Sequence, residues 1–248
     1  MVKLVIFAVD GLDYFYVKHY GLKLAGNTAR LKSKTDVNTP YLWALIQSGK
    51  PPKKQVFVEA PFWAKIYCKI MNRNIRRYYR WADKNLLSAP SIFDQYRSIV
   101  VNFPMYNWKM PDIYRKYGIP QAVKDLRKSE VLFRDTFNFD RKNYIKLLQL
   151  LKNSRVHILA LWIYVIDVLN HLFPKNIIIR LKYYTMINTW IQKLLEEAPE
   201  AILIVLSDHG GRNGVHTSDA VISVNRHVKL PQTIDEVYDW LRELLQNF

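Results

Sequence analysis

The chain has 248 residues, half of them hydrophobic, and carries 37 Lys and Arg against 21 Asp and Glu for a formal net charge of +16. That length and apolar share suffice for one large domain with a sizeable core, and the lone Cys68 excludes an intramolecular disulfide framework, so a cytoplasmic setting is the expectation. The charge excess draws polyanions to the surface and points to a phosphate-bearing ligand, without separating a small anion from nucleic acid.

Residues 2–9 are an apolar run too short for a signal-peptide core and without a small-residue cleavage site, so they read as a first strand ending at Asp10-Gly11. A carboxylate followed by Gly at a strand's carboxyl end suits a ligand, because Gly lets it approach the backbone closely. An Asp capping the next helix accounts for the same residue equally well. Residues 14–35 are basic and irregular. Thr39-Pro40 starts a helix that stops at Gly49 and Pro51-Pro52. A short strand over 55–59 and a helix from Pro61 follow. Arg73, Arg76 and Arg77 interleave with tyrosines, a pattern that can hold single-stranded nucleic acid by charge and stacking. More often it is a solvated helix face or a local anion contact, so nucleic acid is the less favoured partner.

Residues 90–96 read as a short helix feeding a strand over 98–103. The stretch 106–140 shows no sheet pattern and is the expected insertion or lid within a single domain spanning 1–248. A helix over 143–151, a strand over 157–164, a helix over 177–195 and strands from 202 and over 220–224 come next. Thr233 to Glu236 forms a capping box for the last helix. The longest apolar stretch, 156–173, contains His157, Asp167, Asn170 and His171, so no membrane span is expected.

Strands alternating with helices predict an α/β fold: a doubly wound, mostly parallel sheet with helices on both faces. Four polar clusters then fall after strands: Asp10, Asp167 with His171, Asp208 with His209, and His216. Asp208-His209 follows the apolar run Ile202 to Leu206, where each polar head needs a partner, and a metal ion satisfies both. Asp167 and His171, four apart, share one helix face, which suits two ligands to one ion and also a simple hydrogen bond. His216 sits in a Gly-rich loop. Three Asp and three His divide into two sites whose nitrogen and oxygen donors suit zinc and admit manganese or iron.

The series Val-Asp-Gly at 9–11, Thr-Pro-Tyr-Leu-Trp-Ala-Leu at 39–45, Ile-Val-Val-Asn-Phe-Pro-Met at 99–105, Asp-Val-Leu-Asn-His at 167–171, Ser-Asp-His-Gly-Gly at 207–211 and Gly-Val-His-Thr at 214–217 resembles the alkaline phosphatase superfamily. Within it the chain is most similar to the type I phosphodiesterase and nucleotide pyrophosphatase branch, over residues 5–241. Each motif is weak alone; six in order are specific. The resemblance implies two divalent metal ions, one held by Asp10, Asp208 and His209, the other by Asp167, His171 and His216. It also implies an anionic, phosphate-bearing substrate, contacted by Arg73, Arg76, Arg77 or Asn102. Relatives place a Thr or Ser nucleophile where this chain has Glu59, a carboxylate that repels phosphate and has no hydroxyl to form a phosphoenzyme. Thr39 is a more distant hydroxyl in what reads as an ordinary helix start. Cys68 lies about two turns beyond the family position and reads as a structural thiol. Asn188 stands where relatives often carry Asp. Two expectations follow: a metal-dependent phosphoesterase in which water replaces the side-chain nucleophile, or a silent member that keeps its metals to bind a phosphate-bearing ligand or nucleic acid.

Overall fold

The computed structural model describes residues 2–34, 39–53, 84–108 and 119–246. The strands are β1 (Leu4–Val9), β2 (Asn27–Lys32), β3 (Ser98–Val101), β4 (Ile158–Ile163), β5 (Ile202–Leu206), β6 (Gly210–Arg212), β7 (Val215–Thr217) and β8 (Asp219–Val224). Six of them form one sheet in the order β2-β8-β5-β1-β4-β3, and β6 and β7 pair as a separate hairpin. Every residue of β1, β4 and β5 is buried, as parallel strands covered on both faces require, which is why they read as continuous apolar runs. β3, β4, β1 and β5 run parallel, with Phe7 registered on Leu161 at one side and Val205 at the other. β8 runs antiparallel to both β5 and β2, so the sheet is mostly parallel with a reversed edge.

The helices are α1 (Tyr14–His19), α2 (Thr39–Ser48), α3 (Ile92–Gln95), α4 (Ile119–Ala122), α5 (Leu126–Asn153), α6 (Val165–Leu172), α7 (Ile177–Glu197) and α8 (Val237–Gln246). α5, α6 and α7 pack on one another, while α2 packs on α3 and α8 as a second group. The doubly wound α/β reading holds.

Three expectations change. Residues 14–35 are not irregular: Asp13 caps α1 by accepting from the Phe15 amide at 2.9 Å, and β2 is an edge strand. Only Leu31 of β2 is buried, so the strand lacks the apolar alternation that marks one in sequence; its ladder with β8 and the Arg30–Asp219 ion pair at 2.5 Å hold it. Second, α5 starts at Leu126, well before 143, so much of the stretch read as insertion or lid belongs to a 28-residue helix of the framework. Its buried face includes Thr136 and Asp140, polar residues that interrupt the apolar periodicity. Residues 109–118 of that stretch, and the segments expected as a strand over 55–59 and a helix from Pro61, lie outside the described residues. Third, the capping box is half formed: Glu236 accepts from the Gln232 amide at 2.8 Å, but the Thr233 side chain makes no cap bond and a 3-10 turn precedes α8.

Asp140 explains how α6 begins. Tyr164, the residue before α6, makes no side-chain cap bond; the fully buried Asp140 carboxylate instead accepts from the amides of Tyr164 at 2.9 Å and Val165 at 2.8 Å. Burial pushes this carboxyl well above the usual range, and the two amides pull it back only in part. A group whose pKa is raised by folding takes up a proton on folding, so its contribution is complete at pH below the ordinary carboxylate value and is lost as pH rises through the folded value. Asp140→Asn keeps an acceptor and has no charge to lose. It is expected to flatten that segment of the dependence of melting temperature on pH; an unchanged slope would contradict the assignment.

Candidate metal centre

Parallel pairing brings the expected ligands together. Asp10 follows β1 directly, Asp208 and His209 follow β5, and Asp167 lies on the first turn of α6 after β4; β4, β1 and β5 are neighbours, so these residues share one sheet edge. The β6–β7 hairpin folds back from β5 and returns His216 to the same place. Ligand atoms of Asp10, Asp208 and His209 all lie within 4.8 Å of one another, as do those of Asp167, His209 and His216. His171 Nε2 is 3.1 Å from His216 Nε2 and 3.3 Å from Asp167 Oδ1. All six expected residues therefore converge. The second of these groups holds Asp167 and His216 together with His209, whose ring stacks on that of His216 at 3.8 Å between centroids, and His171 stands beside it.

Local chemistry sets the geometry. The amide of Leu12 donates to Ser207 Oγ at 3.1 Å, Ser207 donates to the His209 carbonyl at 2.5 Å, and Ser33 donates to the Asp208 carbonyl, so the turn after β5 is fastened on both sides. Asn170 Nδ2 donates to the Gly11 carbonyl at 2.9 Å, joining α6 to the end of β1. His209 Nδ1 faces the Gly210 carbonyl at 3.0 Å and His171 Nδ1 faces the Gly214 carbonyl at 2.9 Å. A carbonyl only accepts, so Nδ1 carries a proton in each ring and Nε2 is the atom turned to the carboxylates. That is the arrangement in which a backbone partner fixes the tautomer of a metal-binding histidine.

The centre is short of positive charge. Burial and the adjacent Asp10 push the Asp208 carboxyl well above the usual range. Burial acts against the charge of His209 too, yet Asp208, Asp10 and Asp167 together raise its pKa well above the ordinary value. For Asp167, burial is outweighed by His171, His216 and His209, which hold its carboxyl well below the usual range. Among the described residues, neither oxygen of Asp208 has a hydrogen-bond partner, and Oδ1 of Asp10 and of Asp167 have only histidine nitrogens nearby, His209 Nε2 at 3.2 Å and His171 Nε2 at 3.3 Å. Orphaned buried carboxylate oxygens are costly. Divalent cations among them would supply the missing charge and the missing partners at once, and a mixed imidazole and carboxylate donor set suits zinc while admitting manganese or iron.

The structure also brings in a residue that the sequence reading set aside. Thr39, the first residue of α2 and 7 % exposed, places its hydroxyl 3.3 Å from His209 Nε2. Its Thr-Pro context marks a helix start, and nothing local says that this start faces the carboxyl edge of the sheet. Asp13 is a second residue with more than a capping role. It accepts from Thr217 Oγ1 at 2.7 Å and Arg212 Nε at 3.1 Å, and so anchors both strands of the hairpin that carries His216. Asn102 ends β3 at that edge, buried and with a left-handed backbone at φ 49°. Asn188 is occupied elsewhere, its Oδ1 accepting from the Leu24 amide at 2.9 Å. Glu59, Cys68, Arg73, Arg76 and Arg77 lie outside the described residues.

The family model described as type I phosphodiesterase / nucleotide pyrophosphatase matches residues 4–245, from β1 through α8. The chain belongs to this family. No curated protein matches the sequence. Among solved structures, the PH0037 protein from Pyrococcus horikoshii superposes with a TM-score of 0.51 at 10% identity, over 100% of this chain and 98% of that one. A 2-O GAG sulfatase, BT1596, gives 0.53 at 10% identity over 99% and 70%. Murine ectonucleotide pyrophosphatase / phosphodiesterase 5, an inactive variant in complex with AMP, gives 0.50 at 15% identity over 85% of this chain and 57% of that one. This family member thus spans little more than half the length of the murine relative. At such identities the likeness is one of fold, and it is the alkaline phosphatase-like α/β fold that the six ordered motifs implied.

Proposed function

We propose that this member of the type I phosphodiesterase / nucleotide pyrophosphatase family is a metal-dependent phosphoesterase acting on phosphodiesters, nucleotides or phosphomonoesters. The observation that carries the reading is the convergence of Asp10, Asp167, His171, Asp208, His209 and His216, with both oxygens of Asp208 buried and without a hydrogen-bond partner among the described residues. In the proposal Asp10, Asp208 and His209 hold one ion and Asp167, His171 and His216 the other, with zinc as the preferred metal. When bound, such a pair neutralises charge on a phosphoryl group and clamps its attacking and leaving oxygens.

The chain's own groups do the rest. The amino end of α2 faces the centre at Thr39, and the positive end of the helix dipole favours an anion there. The Thr39 hydroxyl is placed to hydrogen-bond a phosphoryl oxygen. Carbonyl anchors on His209 and His171 keep Nε2 of each ring directed inward. Because Glu59 replaces the usual hydroxyl, water is the attacking group in this reading: its oxygen bonds to phosphorus as the bond to the leaving-group oxygen breaks, and the proton it gives up balances the charge on that departing oxygen. The same residue supports the second reading, a silent member that keeps the metals to bind a phosphate-bearing ligand.

Turnover of a chromogenic phosphodiester with added zinc or manganese, abolished by a chelator, separates the two. Thr39→Val is expected to lower kcat about ten- to a hundredfold, the range for losing one preorganised contact at such a centre, while leaving metal-induced stabilisation intact. No turnover with any of these metals, together with clear stabilisation by them, would favour the silent binder. No stabilisation by metal counts against both.

A further inference from the structure

The large apolar side chains that the fold leaves exposed are not scattered. All of those identified except Ile145 sit at the end of the molecule that bears the candidate metal centre: Phe15 on α1, Val215 on β7, Ile177, Ile178 and Leu181 on α7, Val123 in the turn before α5 and Leu126 at its start. Topology puts them there. α1 follows the carboxyl end of β1, whereas α5 and α7 run back to the amino ends of β4 and β5, so they begin at the carboxyl edge.

Side-chain contacts join them into one rim. The Arg212 guanidinium lies 5.3 Å over the Phe15 ring, and Arg180 lies 4.3 Å over the neighbouring Tyr16, which ties α1 to the hairpin and to α7. At the hairpin turn, a Cβ at Gly214 would meet Pro174 at 3.8 Å, three residues before Ile177. The ring of Phe133 meets Phe173 at 5.6 Å and Tyr183 at 4.7 Å, which brings the start of α5 alongside α7. His216 itself is next to Val215, which is 62 % exposed, and Ile178 is 81 % exposed.

Exposed cations stand between the apolar groups: Lys18, Lys124, Arg127, Lys175 and Lys182. The acidic residues of the same segments are fewer, and Asp125 is already paired with Lys128 at 3.2 Å. Aliphatic side chains flanked by lysines suit an interface with apolar chains below and negative headgroups above. They suit nucleic acid poorly, since stacking requires aromatic faces and the one aromatic among them, Phe15, already has its ring against Arg212 and His19; a second copy of the chain would meet this basic rim with its own. Among the described residues no helix is long and apolar enough to cross a membrane, so the contact would be peripheral.

We propose that this rim docks the protein onto an anionic lipid surface and so presents the metal centre to phosphate groups held there; the presentation rests on the phosphoesterase reading, whereas the docking does not. The test is flotation with vesicles of equal parts phosphatidylcholine and phosphatidylglycerol, and with phosphatidylcholine alone, at low and high salt. The wild-type chain is compared with the double variant Ile177→Ser, Ile178→Glu. The chain is expected to float with the anionic vesicles, to do so less at high salt, and to bind neutral vesicles weakly. In the double variant apparent affinity falls at least about tenfold, because two exposed aliphatic contacts are lost and a like charge is added. Melting temperature and turnover of a soluble diester stay as in wild type, since neither residue is at the centre. Absence of flotation with anionic vesicles, equal flotation of the variant, or displacement of the vesicles by a nucleic acid that depends on the same two residues overturns the proposal. Flotation without any turnover of a soluble diester in the wild type instead counts against the reading of the centre.

Discussion

Replacing Asp208 by Asn is expected to raise the melting temperature of the metal-free protein and to remove the further rise that zinc or manganese gives the wild type. Asp208 is completely buried, neither of its oxygens has a hydrogen-bond partner among the described residues, and Asp10 lies close enough to oppose its ionisation. Once ionised, such a group is a liability until a cation arrives, so at pH above its folded value the neutral carboxamide recovers about 1 to 3 kcal/mol. The sign follows from its raised pKa: the metal-free wild type loses stability as pH rises through the folded value, and the variant does not. With metal the order reverses. A ligand that binds only the folded state adds stability in proportion to the logarithm of its concentration over Kd, and the carboxamide of the Asp208→Asn variant offers no anionic donor. Turnover should fall at least about a hundredfold, since losses of ten- to a hundredfold already follow from disturbing groups that merely support a ligand. Thermal melts across a metal titration decide the matter; a variant stabilised by metal as strongly as wild type would falsify the site.

The second large effect is expected at Gly11. Its φ is +70°, and an added Cβ would lie 2.8 Å from Asp167 Cα and 2.9 Å from Asp167 Cβ. The Gly11→Ala variant therefore carries two costs: about 1 to 2 kcal/mol for a left-handed backbone in a residue with a side chain, and about 1 to 3 kcal/mol for overpacking. The atom it meets is backbone at the start of α6, which cannot rotate away, so α6 must move and take Asp167 and His171 with it. A loss of about 2 to 5 kcal/mol in denaturant unfolding is expected, together with weakened metal binding. Gly211→Ala makes a useful contrast. Its added Cβ would meet Asn170 Nδ2 at 2.5 Å and press on the side chain that joins α6 to Gly11, a contact with side-chain rather than backbone atoms, and Gly211 has no left-handed backbone to strain. Equal destabilisation by the two substitutions would show that backbone conformation and rigidity at Gly11 are not the cause.

Some of this was legible residue by residue. The apolar runs of β1, β4 and β5 and the abrupt polar residues at their carboxyl ends are local signals, and in a parallel sheet they are also functional ones, because neighbouring strand ends share an edge. Asp10, Asp167, His171, Asp208, His209 and His216 could be picked out on that basis, and their order along the chain pointed to the family that the match over 4–245 establishes. β2 was not legible, since an edge strand with one buried residue has no pattern of its own. The true start of α5 was hidden because its buried face includes Thr136, which donates to the Leu132 carbonyl, and Asp140, which bonds to amides 24 and 25 residues away.

The sequence by itself determined which residue types stand at the strand ends, the α/β alternation and the family, because those properties depend on runs of a few residues and on their order. Tertiary structure alone decided that His209 lies between both groups of ligands, that Thr39 reaches it from α2, that Asp140 caps α6 from another helix, and that the exposed apolar residues of α1, α5, α7 and the hairpin share one rim. Each is a contact between segments far apart in the chain. Pairing register and helix packing create such contacts, and neither is written in the local pattern of any one segment.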